Sequence, residues 1–244
     1  MVKLTIDGRQ TEAKEGMMVL DVARSMNIYI PTLCTHEALS PYGACRLCMV
    51  EIATKSGRSR MVTSCLYPVE EGLTVQTNTQ KVAAHRKILI ELLMARCPNN
   101  AVLMDLGRRL GATPAFFPEE NPGKNNNCIL CGLCTRTCAE VVGQSAISFV
   151  SRGIGREMAV PFFDHWDACI ACGSCSYVCP TGAIILEDKD GVRSIKMPHN
   201  EKQFELAQCE QCGSYWIPKR QIAWMAQKSG LPVEAFDKCM DCRD

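Results

Sequence analysis

The sequence has few aromatic residues, no long apolar run and no excess of charge of either sign. Among its 244 residues, aromatics make up 6%, and 27 Lys and Arg stand against 26 Asp and Glu, for a formal net charge of +1. Nucleic-acid binding calls for a basic face, and this charge balance argues against it. A transmembrane helix needs about eighteen or more consecutive apolar residues, and the sequence has no such stretch. We therefore expect neither a nucleic-acid partner nor a membrane span.

The sequence also lacks an apolar segment or a twin-arginine pair in its N-terminal stretch, MVKLTIDG, that would direct export. Against this background, its 17 cysteines are the unusual feature. Disulfides do not persist in a reducing compartment, so cysteines without an export signal indicate metal ligands. We predict a cytoplasmic protein whose small domains depend on inorganic centres for their stability.

Eight cysteines form two runs with identical spacing, and this repeat carries the strongest prediction. The runs are Cys128-x2-Cys131-x2-Cys134-x3-Cys138 and Cys169-x2-Cys172-x2-Cys175-x3-Cys179. In this pattern three cysteines bind one [4Fe-4S] cube and the fourth binds the other cube. The predicted ligands of the first cluster are Cys128, Cys131, Cys134 and Cys179. Those of the second cluster are Cys138, Cys169, Cys172 and Cys175. Zinc sites and disulfides are the alternatives, but neither requires this repeated register.

Residues beside the cysteines of the two runs are suited to a chain that turns tightly around a [4Fe-4S] cluster. Gly132 and Gly173 each follow the second cysteine of a run, where a residue without Cβ allows a tight turn. Pro180 follows the second run directly, whereas Ala139 stands at that place in the first. We expect this departure to weaken the turn after Cys138 and to leave the ligands unchanged.

The N-terminal region predicts a β-grasp domain with a [2Fe-2S] cluster. Alternation from Val2 to Ile6 and a return over residues 11–13 predict a hairpin, and residues 18–26 follow a helical pattern. A closing strand is expected at residues 73–77. Between helix and closing strand, four cysteines suit a [2Fe-2S] cluster, with zinc as the alternative. These predicted ligands are Cys34, Cys45, Cys48 and Cys65.

Two further helices are expected between the cluster motifs. Residues 80–96 predict an amphipathic helix with Ile88 and Leu92 on its apolar side, together with Val82, Leu89 and Leu93. Asn99 or Asn100 can cap a second helix that ends near Gly111. Residues 113–127, rich in Pro, Gly and Asn, are expected to be a linker.

The C-terminal region carries two Cys-x2-Cys pairs on either side of a helix predicted over residues 219–228. Paired knuckles of this kind favour a tetrahedral zinc site, and Gly213 supplies the expected tight turn. A further [4Fe-4S] cluster is the alternative, because four thiolates serve both metals. The predicted ligands are Cys209, Cys212, Cys239 and Cys242. Only Cys97 is left over, and we interpret it as a small buried apolar residue.

The long gap between Cys34 and Cys45 resembles a known group of N-terminal domains. These belong to the large iron-sulfur subunit of complex I, to iron-only hydrogenases, and to the small diaphorase subunit of NAD-reducing hydrogenases. In complex I and the diaphorase subunit, the following helix leads into a further [4Fe-4S] site spaced H-x3-C-x2-C-x5-C. Here residues 95–106 contain one cysteine, Cys97, and no histidine, so that site is not expected.

The expected fold is α+β. We predict a β-grasp [2Fe-2S] ferredoxin domain over residues 1–79, a helical segment and linker over 80–127, a double [4Fe-4S] bacterial ferredoxin domain over 128–200 and a four-cysteine tail over 201–244. No molybdopterin, flavin, dinucleotide or hydrogen-activating domain is expected beside them, and so no catalytic residues.

The resemblance implies a non-catalytic electron-transfer subunit of a soluble hetero-oligomeric oxidoreductase. It would relay single electrons between a flavin subunit linked to NAD(P) and a catalytic subunit of a hydrogenase or, next, a formate dehydrogenase. Some members of this group bifurcate electrons. A flavin accepts a hydride and releases its electrons singly, which suits a chain of clusters. The alternatives are an iron-sulfur redox sensor and a peripheral subunit of a complex I-like assembly.

Overall fold

The structure is a computed structural model that describes residues 1–54, 57–113 and 127–243. Most of the expected linker, residues 114–126, lies outside the described residues. The chain divides into two compact units, Met1–Gly132 and Leu133–Asp244. Within the described ranges, no helix combines the length and apolar character needed to cross a membrane.

The first unit is built on a five-stranded mixed sheet that has a β-grasp arrangement. Its strands are β1 (Val2–Ile6), β2 (Arg9–Ala13), β3 (Met49–Ala53), β4 (Ser59–Thr63) and β5 (Leu73–Gln76), in the order β2-β1-β5-β3-β4. Strand β5 runs parallel to β1 and antiparallel to β3, while β1 with β2 and β3 with β4 form hairpins. The predicted N-terminal hairpin and the closing strand are confirmed.

Periodicity explains why these segments form strands around one core. In β1, Val2, Leu4 and Ile6 are buried and alternate with more exposed residues, as expected of a strand with one face on the core. Helix α1 (Val19–Ser25) covers that face and confirms the helical pattern of the sequence. Sixteen buried residues, among them Cys48 and Cys65, make up the core.

Two helices follow the sheet, as the sequence predicts. Helix α2 spans Gln80–Arg96 and helix α3 spans Ala101–Arg109. Asn100 caps α3, because its side-chain oxygen accepts a hydrogen bond from the Leu103 amide at 3.2 Å. The expected apolar side of α2 is correct only in part: Val82 is buried, whereas Ile88 and Leu92 are 54% and 49% exposed.

The buried side of α2 instead carries two charged residues, Arg86 and Glu91, which are 5% and 3% exposed. Both have partners that make burial acceptable. The Glu91 carboxylate accepts hydrogen bonds from the amide and hydroxyl of Thr113 at 3.0 and 3.3 Å. The same side of α2 also buries Val82, Ile90 and Met94, so apolar and charged residues share it.

The second unit begins with two short helices and a small two-stranded sheet. Helix α4 (Leu133–Arg136) continues into a π-helical turn at Thr137–Val141, and helix α5 spans Ser174–Tyr177. Strands β6 (Ser148–Val150) and β7 (Glu157–Ala159) pair in antiparallel fashion.

A four-stranded antiparallel sheet runs through the rest of the second unit. Its strands are β8 (Ile185–Lys189), β9 (Val192–Lys196), β10 (Glu201–Gln208) and β11 (Tyr215–Pro218), in the order β11-β10-β9-β8. Because β10 pairs with both β9 and β11, the first strands of the tail extend the sheet that begins after the second cysteine run. Trp166, Ile195 and Phe204 belong to the buried core of this unit.

Helix α6 (Lys219–Ser229) confirms the helix expected between the two C-terminal cysteine pairs. It ends at Gly230, whose φ of 70° is the left-handed conformation common after helices. The core beneath it contains four buried residues, namely Ile217, Ile222, Ala226 and Phe236.

Candidate iron-sulfur and metal sites

The four cysteines predicted to hold a [2Fe-2S] cluster are all buried in the first unit. They form two pairs. The Cys48 thiol lies 3.4 Å from Cys65 Sγ, and Cys34 is hydrogen-bonded to the thiol of Cys45. A [2Fe-2S] cluster has two irons with two thiolates each, so a set of two pairs fits this cluster. The thiols lie beside the sheet, since Cys48 immediately precedes β3 and Cys65 follows β4.

In each pair, one cysteine has a lowered pKa, which favours its thiolate form. A hydrogen bond from the Cys45 thiol lowers the pKa of Cys34 to about 6 against the effect of burial, and the Cys45 amide also donates to Cys34 Sγ at 3.4 Å. In the same way, the Cys65 thiol lowers the pKa of Cys48 to about 6. Thiolates are the form in which cysteine binds metal.

The loop before Cys45 is built to bring its backbone close to the cluster position. Gly43 and Arg46 have φ of 73° and 60°, a left-handed conformation that is uncommon for a residue such as arginine. A Cβ at Gly43 would lie 2.4 Å from Leu66 Cδ1, so the loop packs tightly there.

Arg86 holds the opposite side of this loop, a role that the sequence analysis missed. Its Nε donates to the carbonyl oxygen of Leu47 at 3.0 Å, and Nη2 donates to that of Met49 at 2.8 Å. Leu47 stands between two cluster ligands, Cys45 and Cys48. When a loop turns its amides toward a cluster, its carbonyls need other donors, and Arg86 supplies them from α2. Burial lowers the pKa of this guanidinium.

The two cysteine runs share an unusual backbone conformation. Leu130 and Gly132 in the first run have φ of 54° and 78°, and Ala171 and Gly173 at the equivalent places have 59° and 81°. Left-handed residues that recur at matching positions turn successive amides toward one side, which makes a concave anion-binding surface. A non-glycine residue in this conformation is strained, and such strain concentrates at functional sites. The repeat in the sequence is therefore also a repeat in the backbone.

The set predicted for the second [4Fe-4S] cluster is brought together within the second unit. Cys138, from the first run, lines the same small cavity as Cys169, Cys172 and Cys175 from the second. Burial raises the pKa of Cys138 and Cys169, and raises that of Cys175 to about 12. These three thiols lie at a largely apolar cavity and are costly to ionise without a cation. A cluster would supply one, so these residues fit it.

Backbone amides point at the sulfurs of both remote cysteines. The Ala146 amide donates to Cys138 Sγ at 3.3 Å, and the Ala183 amide donates to Cys179 Sγ at 3.2 Å. Hydrogen bonds to ligand sulfurs tune the potential of an iron-sulfur cluster. At Cys128 the contact is of another kind, because the carbonyl oxygen of Cys128 accepts a hydrogen bond from Arg96 Nε at 2.8 Å.

The set predicted for the first [4Fe-4S] cluster is divided between the two units. Cys128 and Cys131 belong to the first unit, and Cys134 and Cys179 belong to the second. Its assignment stays a prediction from spacing.

The departure at Ala139 has a visible result. After Cys179, Pro180 stops the chain from continuing as a helix, and α5 has already ended at Tyr177. After Cys138 no proline intervenes, and the backbone passes through the π-helical turn at Thr137–Val141. Such π-helical turns occur often at functional sites.

The C-terminal cysteines form a much more compact site than the others. All four Sγ atoms lie within 4.8 Å of one another, and Cys212 Sγ is 3.7 Å from Cys239 Sγ. Tetrahedral zinc with Zn–S bonds of about 2.3 Å separates its ligand sulfurs by about 3.8 Å. In a [4Fe-4S] cluster each thiolate binds a different corner of the cube, which holds the sulfurs farther apart. The compact set therefore fits a single ion.

Backbone donors complete the C-terminal site. The Cys239 amide donates to Cys209 Sγ at 3.2 Å, and this bond with one from the Cys212 amide lowers the pKa of Cys209 to about 6. Gly213 has a φ of 73° and closes the first knuckle by donating to the Cys209 carbonyl at 2.9 Å. Cys209 and Cys239 are buried, whereas Cys212 is exposed.

Among the residues that the structure describes, no other group of cysteine, histidine and carboxylate atoms is this compact. Cys97, the cysteine left without a predicted metal, is 1% exposed at the end of α2. Its burial agrees with its interpretation as a small apolar residue.

Comparisons with known families show iron-sulfur domains in the same parts of the chain. Residues 1–80 match the family described as 2Fe-2S iron-sulfur cluster binding domain. Residues 127–183 match a 4Fe-4S dicluster domain, and residues 163–214 match a second family with the same description. The second dicluster match extends over Cys209 and Cys212.

Several curated proteins are similar in sequence. NADPH-Fe(3+) oxidoreductase subunit alpha of Geobacter sulfurreducens is 34% identical over 213 residues, which cover 76% of this chain and 24% of that protein. NADP-reducing hydrogenase subunit HndD of Solidesulfovibrio fructosivorans is 32% identical, with 76% and 36% covered. The NADH-ubiquinone oxidoreductase 75 kDa subunit of Reclinomonas americana is 30% identical, with 75% and 29% covered. The chain thus spans about a quarter to a third of these relatives.

A solved structure is similar as well. A chain of the NAD+-reducing [NiFe]-hydrogenase in the H2-reduced state aligns with a TM-score of 0.58 and 29% identity, over 65% of this chain and 74% of that one. With its domain matches and cysteine geometry, the chain is an iron-sulfur protein of the ferredoxin type. Over part of their length, it is similar to proteins named as subunits of NADPH- and NADP-linked oxidoreductases.

Proposed function

We propose that this chain is a non-catalytic electron-transfer subunit that carries one [2Fe-2S] cluster, two [4Fe-4S] clusters and one zinc ion. The observation that carries the proposal is the cavity shared by Cys138 and the three leading cysteines of the other run. A fourth ligand taken from the opposite run is what a two-cluster ferredoxin requires. The other proposed ligands are those given by the spacing, including the first set of Cys128, Cys131, Cys134 and Cys179.

The clusters, when bound, supply one-electron redox chemistry. The chain's own residues shape that chemistry. They hold the thiolates in sheltered positions, direct the amides of Ala146 and Ala183 at ligand sulfurs, and place Arg86 behind the [2Fe-2S] loop. Each of these changes the stability of the reduced relative to the oxidised state, because it changes the local field and exposure to solvent.

The names of the relatives support a partner that handles a nicotinamide cofactor. Two relatives are subunits of an NADPH-dependent oxidoreductase and an NADP-reducing hydrogenase, and the similar structure comes from a hydrogenase that reduces NAD+. We propose a hetero-oligomer in which this chain connects a flavin NAD(P)-linked subunit to a catalytic subunit. A hydrogenase is the favoured catalytic subunit, and a formate dehydrogenase is the alternative; either complex could bifurcate electrons.

For the tail, the dicluster match that reaches Cys212 supports a third [4Fe-4S] cluster, whereas the sulfur positions support a single ion. We propose zinc, because four thiolates this close leave no room for a cube between them. Iron analysis separates the two: the zinc assignment gives roughly ten iron atoms per chain and a third cluster gives roughly fourteen.

The decisive experiment compares Cys138→Ser with Cys97→Ser in protein purified without oxygen. Cys138→Ser should lose about four iron atoms and the magnetic coupling between two [4Fe-4S] signals in electron paramagnetic resonance. Cys97→Ser is the matched control and should keep full iron and sulfide. A wild-type preparation that contains no acid-labile sulfide would overturn the proposed function. Equal iron loss in both variants would overturn the ligand assignment.

A further inference from the structure

Helix α6 of the tail reaches the loop that leads to the second [4Fe-4S] site. Arg220, in the first turn of α6, donates through Nη1 to the carbonyl oxygens of Trp166 and Cys169 at 2.8 and 3.1 Å. Its Nη2 donates to the carbonyl of Asp167 at 3.3 Å. One guanidinium therefore binds three carbonyls at or just before the first cysteine of the second run.

The position of Arg220 is unfavourable for its own helix. A cation in the first turn opposes the helix dipole, so local helix formation does not explain an arginine there. The side chain instead lies against the ring of Phe204, with 5.7 Å between guanidinium carbon and ring centroid. Phe204 in turn packs edge-on against Trp166 at 6.0 Å. These contacts fix the guanidinium over the carbonyls.

A second contact joins α6 to the same site. With its side-chain amide oriented so that both neighbours are satisfied, Gln144 accepts from the indole Nε1 of Trp224 at 2.7 Å and donates to the carbonyl of Ala168 at 3.2 Å. Gln144 also lines the cavity shared by Cys138 and Cys169. Helix α6 is therefore tied to both sides of the second cluster site, through Arg220 to one loop and through Trp224 to the other.

What keeps α6 in place is a small core and the C-terminal metal site. Ile222 and Ala226 of α6 pack with Phe236, which lies three residues before Cys239. The segment that carries Phe236 is joined to the first knuckle by two bonds, from the Cys239 amide to Cys209 Sγ and from the Glu210 amide to the Asp237 carbonyl. This core is small, with four buried residues and Ala207, Trp216 and Met225 partly buried against them. A metal that links the two knuckles would add to the stability of the segment.

We propose that Arg220 is a positioning residue for the second [4Fe-4S] cluster, and that the C-terminal metal ion controls that cluster through it. This rests on the proposed function, since it assumes both the cluster and the ion. Loss of the ion frees the second knuckle, loosens α6, and withdraws a positive charge and three hydrogen bonds from the loop before Cys169. A cluster that loses a nearby positive charge is harder to reduce.

The first test uses Arg220→Ala, Arg220→Lys and Lys219→Ala in the full chain. Arg220→Ala should keep one zinc per chain and shift one [4Fe-4S] midpoint to a more negative potential, while the [2Fe-2S] midpoint stays unchanged. Arg220→Lys should recover part of the shift, because it restores the charge without the fork of donors. Lys219→Ala is the control, since Lys219 pairs with exposed Glu205 instead.

The second test asks whether loss of the metal and loss of Arg220 shift the same midpoint potential through the same contact. Cys242→Ser should lose the zinc and shift the same [4Fe-4S] midpoint, and adding Arg220→Ala to it should cause little further shift. Arg193→Ala provides a contrast, because Arg193 donates to the Ala171 carbonyl at 3.0 Å from β9 and not from the tail. Its shift should add to that of Cys242→Ser.

The outcomes separate this inference from the proposed function. If wild-type protein has three clusters and one zinc but neither Cys242→Ser nor Arg220→Ala moves a midpoint or reduces [4Fe-4S] content, the coupling is wrong and the electron-transfer role stands. The coupling is also wrong if shifts of these two variants add fully. If wild-type protein has no clusters, both proposals fail.

Discussion

The [2Fe-2S] region and the C-terminal tail each present four cysteine sulfurs, yet they are built differently. The first arranges its thiols as two pairs beside a five-stranded sheet with sixteen buried core residues. The second gathers all four within 4.8 Å above a core of four residues. The number of cysteines is the same, but the spacing of the sulfurs fits a different inorganic centre in each region.

The difference also concerns what holds each region together. The first unit has enough apolar burial to fold around its sheet, and its cluster loop is fastened by a protein side chain, Arg86. The tail has a smaller core, so we expect its order to depend on the proposed metal. From this we expect metal removal, side-chain removal and backbone substitution to affect the two regions unequally.

The largest difference should follow removal of the C-terminal ion by a zinc chelator. The amides of residues 209–214 and 231–243 should lose most of their protection from hydrogen exchange, because the metal joins these segments. Amides of β1 and β5 should keep theirs. Hydrogen exchange followed by mass spectrometry measures both in one sample. Protection that persists in the tail without metal would show that its small core suffices.

The next effect should come from replacing Arg86 with leucine. This leaves the buried carbonyls of Leu47 and Met49 without donors, which should lower the free energy of unfolding by about 2–4 kcal/mol. The urea midpoint of the [2Fe-2S] visible absorption reports it. Arg60→Leu is the control, because Arg60 is exposed and contacts Tyr67 at the surface, so its effect should stay within about 0.5 kcal/mol. Equal effects of the two variants would contradict the role of Arg86.

The smallest difference is expected between alanine substitutions at two glycines with the same φ of 73°, Gly43 and Gly213. Alanine at either position should cost about 1 kcal/mol from the left-handed backbone. At Gly43 the new Cβ also meets Leu66 Cδ1 at 2.4 Å, whereas at Gly213 it meets only Gln208 Nε2 at 3.7 Å. Leu66 is 41% exposed and can move aside, so Gly43→Ala should be only slightly worse. Thermal loss of each region's metal absorption or content measures the two changes.

The sequence predicts the cysteine sites because the chemistry of each centre requires short, characteristic spacings. It also predicts the N-terminal hairpin and helices α2, α3 and α6 from local periodicity and capping. It does not predict that Arg86 and Arg220 donate hydrogen bonds to the loops that carry the cysteines. Arg86 and Leu47 are 39 residues apart in sequence, and Arg220 and Cys169 are 51 apart. Nothing local distinguishes such an arginine from one on the surface.

The buried side of α2 is predicted incorrectly in part for the same reason, because contacts distant in sequence decide it. A pattern of apolar residues favours burying Ile88 and Leu92, but the structure buries Arg86 and Glu91. Tertiary hydrogen bonds make this possible, and the partners of both residues lie outside the helix. Hairpin β3–β4 was also not anticipated, although Val50 and Ile52 alternate as strand residues should.

Cys212 is the exposed member of the compact C-terminal set, so reagents in the solvent reach it more easily than the buried cysteines of the tail. Oxidants and competing thiols from solvent reach this sulfur before the sheltered Cys209 and Cys239. Damage there would release the ion from one side first, while the remaining thiolates still retain it.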